Sequence, residues 1–230
     1  MYKHNPKPTF KSFHLLLYSN LLLNFALMGK IHPENISSPF SSPSSCSSPY
    51  VTSIRETFTI WMKSLVFHGN GCTVYNSKGE LVFRVDNYQE KCSSEVFLMD
   101  LNGQVLFSIK KEKLRVFGRW NGYLCGGFKG RPWFQVRKNC TFSRGNVICN
   151  VNLGYEKSIE SCYKIQKLDR KSSFKVTNSA GEVVAELKQK QSTRGFAYGD
   201  DVLTLEVEPH VDQSLIVALV TVCGLISRKL

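Results

Sequence analysis

The residues best placed to do chemistry lie near the C-terminus, in "LEVEPH" (205–210). Alternate residues of a strand point to one face, roughly 7 Å apart. On that spacing Glu206, Glu208 and His210 share a face, and two carboxylates with an imidazole could hold a divalent cation. A simpler account needs no ligand. Leu203, Leu205 and Val207 alternate with the three polar residues, which then form the solvated side of a strand whose apolar side meets a core. No metal site is therefore expected. His68 after "LVF" reads as a strand-end residue, and Asp200-Asp201 as the turn that starts the last strand.

The second constellation is cationic: "IKKEKLRVFGRW" (109–120). Val105, Phe107 and Ile109 alternate inward in the preceding strand, which turns Lys110 outward. Lys111, Glu112 and Lys113 make the tip. Leu114 and Val116 resume the inward pattern and leave Arg115 outward, with Arg119 close behind. As a functional reading, Lys110, Lys111, Lys113, Arg115 and Arg119 form an anionic-lipid site, each cation contributing about 1 kcal/mol near a charged bilayer surface. The bland reading is a solubilising hairpin tip.

Enzyme fingerprints are missing from the sequence. It has no G-x-S-x-G, H-E-x-x-H, P-loop or dinucleotide motif. "HGNG" (68–71) and "GGFKG" (126–130) lack a strand-to-helix context and read as turns. The expectation is a non-enzymatic protein with no catalytic residue and no cofactor.

Its 230 residues suit one domain of ordinary size with a tail, and 42% hydrophobic content supports a core. A formal net charge of +12 and a pI of about 9.4 favour acidic partners: anionic phospholipid, an acidic protein or, less so, nucleic acid. Cysteines at 46, 72, 92, 125, 140, 149, 162 and 223 include no C-x-x-C pair. They indicate no structural zinc and suggest a reducing compartment, where buried thiols behave as small hydrophobes. The sequons at Asn35 and Asn139 matter only in a secreted chain.

Residues 1–27 carry lysines at 3, 7 and 11 before an apolar segment interrupted by Asn20 and Asn24. This outlines a weak signal or anchor, or an extension upstream of a true start at Met28. Residues 28–54 include three Ser-Ser-Pro units and are expected to be a disordered tail. From 55 to 230 the pattern is one of short alternating runs. "CTVYNSKGELVFRVDN", "EVFLMDLNGQVLFSIK" and "SFKVTNSAGEVVAELK" each place Asn or Asp, two residues and Gly between two strands, a hairpin signal. "CTFSRGNVICNV" is a looser copy. Further strands are expected at 58–62, 120–125, 133–138, 162–166 and 202–207.

The chain ends in its most apolar run, 215–226. As a helix over about 212–227 it is too short to span a bilayer, which needs roughly 20 apolar residues. Apolar residues face every direction around it, so it reads as a helix buried on all sides, capped by Asp212, with a strand or an anchor as the alternatives. About a dozen antiparallel strands can shed their edges by closing, and a barrel that wide needs a filling. The expected fold is thus mainly β, a closed antiparallel barrel of about 12 strands around a buried apolar C-terminal helix.

"WMKSLVFHGNGCTVYNSKGELVFRVDNY" (61–88), "KCSSEVFLMDLNGQVLFSI" (91–109), "FGRWNGY" (117–123), "PWFQVRK" (132–138) and "GDDVLTLEVEPHVDQSLIVALV" (199–220) resemble plant LURP-one-related proteins. The resemblance runs from about residue 55 to the end, and "MGKIHP" (28–33) looks like that family's usual N-terminus. It implies a tubby-C-terminal-like fold related to phospholipid scramblases, with some members linked to plant defence. It carries over no catalytic residue. Members of the wider tubby group bind phosphoinositides through basic residues, at positions that do not map onto this chain. The expectation is a monomeric module in the cytoplasm, peripheral at the plasma membrane, that docks on an anionic membrane surface or a protein partner. The alternative is a nuclear, nucleic-acid-binding or transcription-linked protein.

Overall fold

The computed structural model describes residues 48–62, 71–87, 94–112, 118–125, 130–139, 147–154, 162–168, 173–191, 195 and 198–226. The expected N-terminal extension (1–27) and most of the expected tail (28–47) lie outside these residues. Twelve strands follow one another: β1 (Glu56–Trp61), β2 (Gly71–Tyr75), β3 (Leu81–Asp86), β4 (Glu95–Asp100), β5 (Val105–Lys111), β6 (Arg119–Leu124), β7 (Phe134–Lys138), β8 (Val147–Leu153), β9 (Tyr163–Lys167), β10 (Phe174–Asn178), β11 (Val183–Gln189) and β12 (Val202–Val207). Helix α1 (Gln213–Ile226) ends the described chain. Each strand pairs with its sequence neighbours, and β1 pairs with β12, Phe58 opposite Leu205, so the sheet closes.

Local chemistry makes the hairpins. At the β2–β3 turn, Asn76 Oδ1 accepts the N–H groups of Lys78 and Glu80 at 2.9 and 3.0 Å, and the Gly79 N–H donates to the Asn76 carbonyl. Gly79 sits at φ 81°, a region costly for residues with a Cβ. Asp100 repeats the arrangement at the β4–β5 turn and Asn178 at the β10–β11 turn. A register shift follows each, between Val74 and Tyr75, Leu98 and Met99, and Val176 and Thr177. Each shift is a β-bulge that leaves one residue of the later strand, Val82, Leu106 or Val184, without a partner across the hairpin. The looser copy at Arg144-Gly145-Asn146 lies outside the described residues.

The helix fills the closed wall. Every residue from Gln213 to Gly224 is buried. Ile216, Val217, Ala218, Leu219 and Val222 are fully enclosed and meet inward residues such as Phe83, Leu98, Ile109, Phe134 and Ile165 in one core. Asp212 caps the helix as expected: its Oδ1 accepts the Ser214 and Leu215 N–H groups at 2.9 and 3.1 Å. Thr221 would be an unsatisfied hydroxyl here, but its Oγ1 donates to the Val217 carbonyl at 2.8 Å. At the wall, a Cβ on Gly122 would run into the Phe134 ring, so only glycine lets β6 and β7 pass Phe134 inward.

The tail is shorter than its composition suggests. Residues 48–54 belong to the folded body. Val51 bridges to Asp212, and the Gln213 and His210 N–H groups donate to the carbonyls of Tyr50 and Thr52. The Tyr50 ring packs on Phe83 with centroids 5.3 Å apart, and burial followed by the charges of Asp100 and Asp212 raises its phenol pKa. The Ser-Pro units that suggest disorder stop just before the two residues, Tyr50 and Val51, that can bury surface.

Two tests follow from this packing. Val217→Asp places an unpaired charge in the centre of the core, costing several kcal/mol against a typical total of 5–15. Neither this variant nor a chain lacking residues 214–230 should show a cooperative thermal transition; a soluble, cooperatively melting deletion variant would mean that the helix is peripheral. A chain beginning at Ser48 should melt higher than one beginning at Arg55. Tyr50→Ala alone should lose about 2 kcal/mol, or about 4–8 °C by calorimetry.

Candidate anion-docking surface

Strand β5 turns Phe107 and Ile109 into the core and Lys110 to solvent, as the alternation requires. Val105 is only half-buried, because the bulge of the preceding turn shifts the register beside it. Lys111 is not in the hairpin tip, as expected from sequence, but is the last residue of β5. Its Cα pairs with Trp120 and its N–H donates to the Ser94 carbonyl at 2.7 Å, so pairing on both sides extends the strand through it. Lys113 and Arg115 lie outside the described residues.

Neighbouring carboxylates reduce the charge of this hairpin. Lys110 Nζ is 3.0 Å from Glu95 on β4, and 6.0 Å from the centroid of the Tyr123 ring. Arg119 opens β6 partly buried, with its Nε 3.4 Å from Glu112. Pairs this exposed contribute at most about 1 kcal/mol to stability, but they lower the local potential. The hairpin is one edge of a larger feature.

Six consecutive strands, β5 to β10, hold Lys110, Lys111, Arg119, Arg137, Lys138, Lys164, Lys167 and Lys175 and not one Asp or Glu. The strand carboxylates Glu56, Asp86, Glu95, Asp100, Glu186 and Glu206 all lie on the other half of the wall. Across the cationic arc, register aligns outward residues in a row. Arg119 faces Arg137, Arg137 faces Asn150, and Asn150 faces Lys164. Like charges directly opposite are unfavourable in a sheet. The Arg119–Arg137 pair therefore costs stability unless a neighbouring anion offsets it. Beside this row, Lys110, Asn121, Gln135 and Asn152 make a second polar line. The missed residues are Arg137, Lys138, Lys164, Lys167 and Lys175. Their signal was the absence of carboxylates from strand-like segments, which has meaning only once strand order is known.

The metal candidate resolves differently. Strand β12 stops at Val207, before Pro209, and His210 takes a left-handed φ of 62°, so the alternation does not reach it. Glu206 and Glu208 share one counter-ion: Arg55 lies 2.7 Å from the first and 3.2 Å from the second. The pair is an exposed ion network. Among the described residues no group of three His, Cys, Asp or Glu could hold a metal ion. His68 lies outside them.

One polar cluster had no sequence signal. Arg84 and Asp86 share the outward face of β3, yet both are buried, with Arg84 Nε 3.3 Å from Asp86 Oδ2. Thr73 and Met99, opposite Arg84 on the flanking strands, are buried too. This is structural chemistry, since breaking a buried pair strands a charge at a cost of about 3–5 kcal/mol. Asp86→Asn should lower the thermal midpoint by about 6–20 °C; a calorimetric shift under about 2 °C would mean that Arg84 has little need of this carboxylate.

A sequence model described as LURP-one-related matches residues 56–224. The chain is 47% identical to Protein LURP-one-related 4 of Arabidopsis thaliana over 181 residues, covering 78% of this chain and 82% of that protein. It is 43% identical to Protein LURP-one-related 11 of the same plant over 210 residues, covering 87% and 89%. The X-ray structure of an Arabidopsis thaliana protein superposes with a TM-score of 0.59 at 18% identity, covering 78% of this chain and 95% of the other, so the two share a fold.

Proposed function

Because the chain belongs to the LURP-one-related family, we propose that it is a non-enzymatic docking module whose cationic arc rests on an anionic membrane surface. The observation that carries this reading is the division of charge around the barrel: eight lysines and arginines and no carboxylate on β5 to β10. A surface of one sign attracts a surface of the other, and a bilayer rich in anionic phospholipid is broad enough to meet an arc of several strands at once. The defence role that the family resemblance implies would then be exercised at a membrane.

Attachment is peripheral in this reading. Among the described residues no helix is long and apolar enough to cross a membrane. The wall is also the reverse of a transmembrane barrel: its apolar side faces α1, while Arg137 and Lys164 stand exposed on the outside of β7 and β9. The nucleic-acid alternative loses its main aromatic. Single-strand binders stack bases on exposed rings, and Trp120 of "RVFGRW" is buried in the core.

Vesicle cosedimentation tests the proposal. The protein should bind phosphatidylcholine vesicles containing phosphatidylserine at low ionic strength and release as salt rises. Changing Lys111, Arg137, Lys138 and Lys164 together to Gln should weaken binding at least about 100-fold, from about 1 kcal/mol per cation. Lys188→Gln, on the other half of the wall, should change it little. A wild-type protein that stays in the supernatant, or a fourfold variant that binds equally well, would reject the reading.

A further inference from the structure

Strand β7 carries more than Arg137 on its outer face. Phe134 and Val136 point into the core with no exposed surface, so alternation turns Trp133, Gln135 and Arg137 outward. Trp133 stands just before the strand, but its backbone is held on both sides. Its N–H donates to the Gly122 carbonyl at 2.7 Å, and its carbonyl accepts the Gly154 N–H at 2.7 Å. Trp133 is 38% exposed, and at the usual rise it lies roughly 13 Å along β7 from Arg137. Two leucines stand at the same end of the wall. Leu101, 55% exposed, lies in the β4–β5 turn, and Leu124, 42% exposed, ends β6. Strands β4 to β7 are consecutive and antiparallel, so this turn, the end of β6 and the start of β7 share one rim of the barrel. Single exposed apolar residues are ordinary on a surface, whereas a group of them on adjoining elements marks a docking site. Arg131, exposed two residues before Trp133, adds a cation beside them.

We infer that Trp133, Leu124 and Leu101 form an apolar anchor that dips into the acyl boundary of the bilayer on which the cationic arc rests, an inference that depends on the docking proposed above. The line of β7 decides the occupant. Trp133 and Arg137 share one face of one strand, so a flat anionic surface that meets Arg137 is carried against Trp133 as well. Indole suits that depth, with an apolar body for the acyl chains and an N–H for the headgroups. The leucines separate a bilayer from a nucleic acid. Hydrocarbon accepts Leu101 and Leu124, whereas a stacked base needs a ring. The division of labour is then physical: the cations draw the protein to the surface, and the buried apolar area lengthens its stay.

Tryptophan fluorescence during vesicle binding tests the anchor. The full chain is mixed at low ionic strength with phosphatidylcholine vesicles containing phosphatidylserine. Its emission should shift to shorter wavelength, and lipids brominated high on the acyl chain should quench it. Trp133→Phe should still pellet with the vesicles but lose both responses, because Trp120 is buried and the Trp61 Nε1 donates to Asp201 at 3.2 Å. Leu101→Ser with Leu124→Ser should weaken cosedimentation at least about 10-fold. A protein that pellets while its emission neither shifts nor is quenched overturns the anchor and leaves the electrostatic docking standing. A protein that stays in the supernatant overturns both. An emission shift that grows with protein concentration in the absence of vesicles assigns the rim to a second copy of the chain and overturns the anchor. The quenching of the wild type needs no variant to fold.

Discussion

A helix that is apolar around its whole circumference cannot lie against a single sheet, because its outer side would remain in water. Helix α1 therefore demands a wall on every side, and the rest of the structure answers that demand. Twelve strands supply the circumference, their inner residues alternate with outer ones to give a continuous apolar lining, and the β1–β12 pairing removes the last edge. The few polar groups carried inside are satisfied close to home. Thr221 bonds within its own helix, and Gln213 reaches Thr52 on the strap that crosses the helix entrance. Gly122 and Phe134 show how tightly the lining is filled at one point of the wall.

Since the inside of the barrel is committed to holding α1, function has the outside to work with. The division of charge there is independent of the fold: no inward residue depends on whether β7 shows Arg137 or β9 shows Lys164 to solvent. Arg119 and Arg137 oppose each other across β6 and β7, and Glu112, 3.4 Å from Arg119 Nε, offsets part of that repulsion. The other half of the wall behaves ordinarily, with Arg55, Lys188 and their glutamates neutralising one another.

What could be read from the sequence is what depends on neighbours along the chain. Asn76, Asp100 and Asn178 bond backbone groups two to four residues away, and Asp212 caps a helix that begins at the next residue, so hairpins, cap and helix were all legible. Alternation told inside from outside for Ile109 and Lys110. What escaped depends on residues remote in sequence. Tyr50 finds Phe83, Lys110 finds Glu95 across a strand, and Arg84 is buried on a face that alternation assigns to solvent. The cationic hairpin was legible as composition, but the arc it belongs to exists only after six strands are laid side by side.

The strands that close the barrel, β1 and β12, stand at opposite ends of the domain, and the helix that fills it comes after both. Most strand pairs are local hairpins and form early, but the closing pair joins the most distant strands in the chain. Such contacts carry the largest loop-closure entropy and are made late. While the chain is being synthesised, the curled sheet has two open edges until β12 emerges and an unfilled apolar lining until α1 does. The domain thus gains little from a partial wall: its assembly waits for α1, and until then its inner face is exposed to every other apolar surface around it.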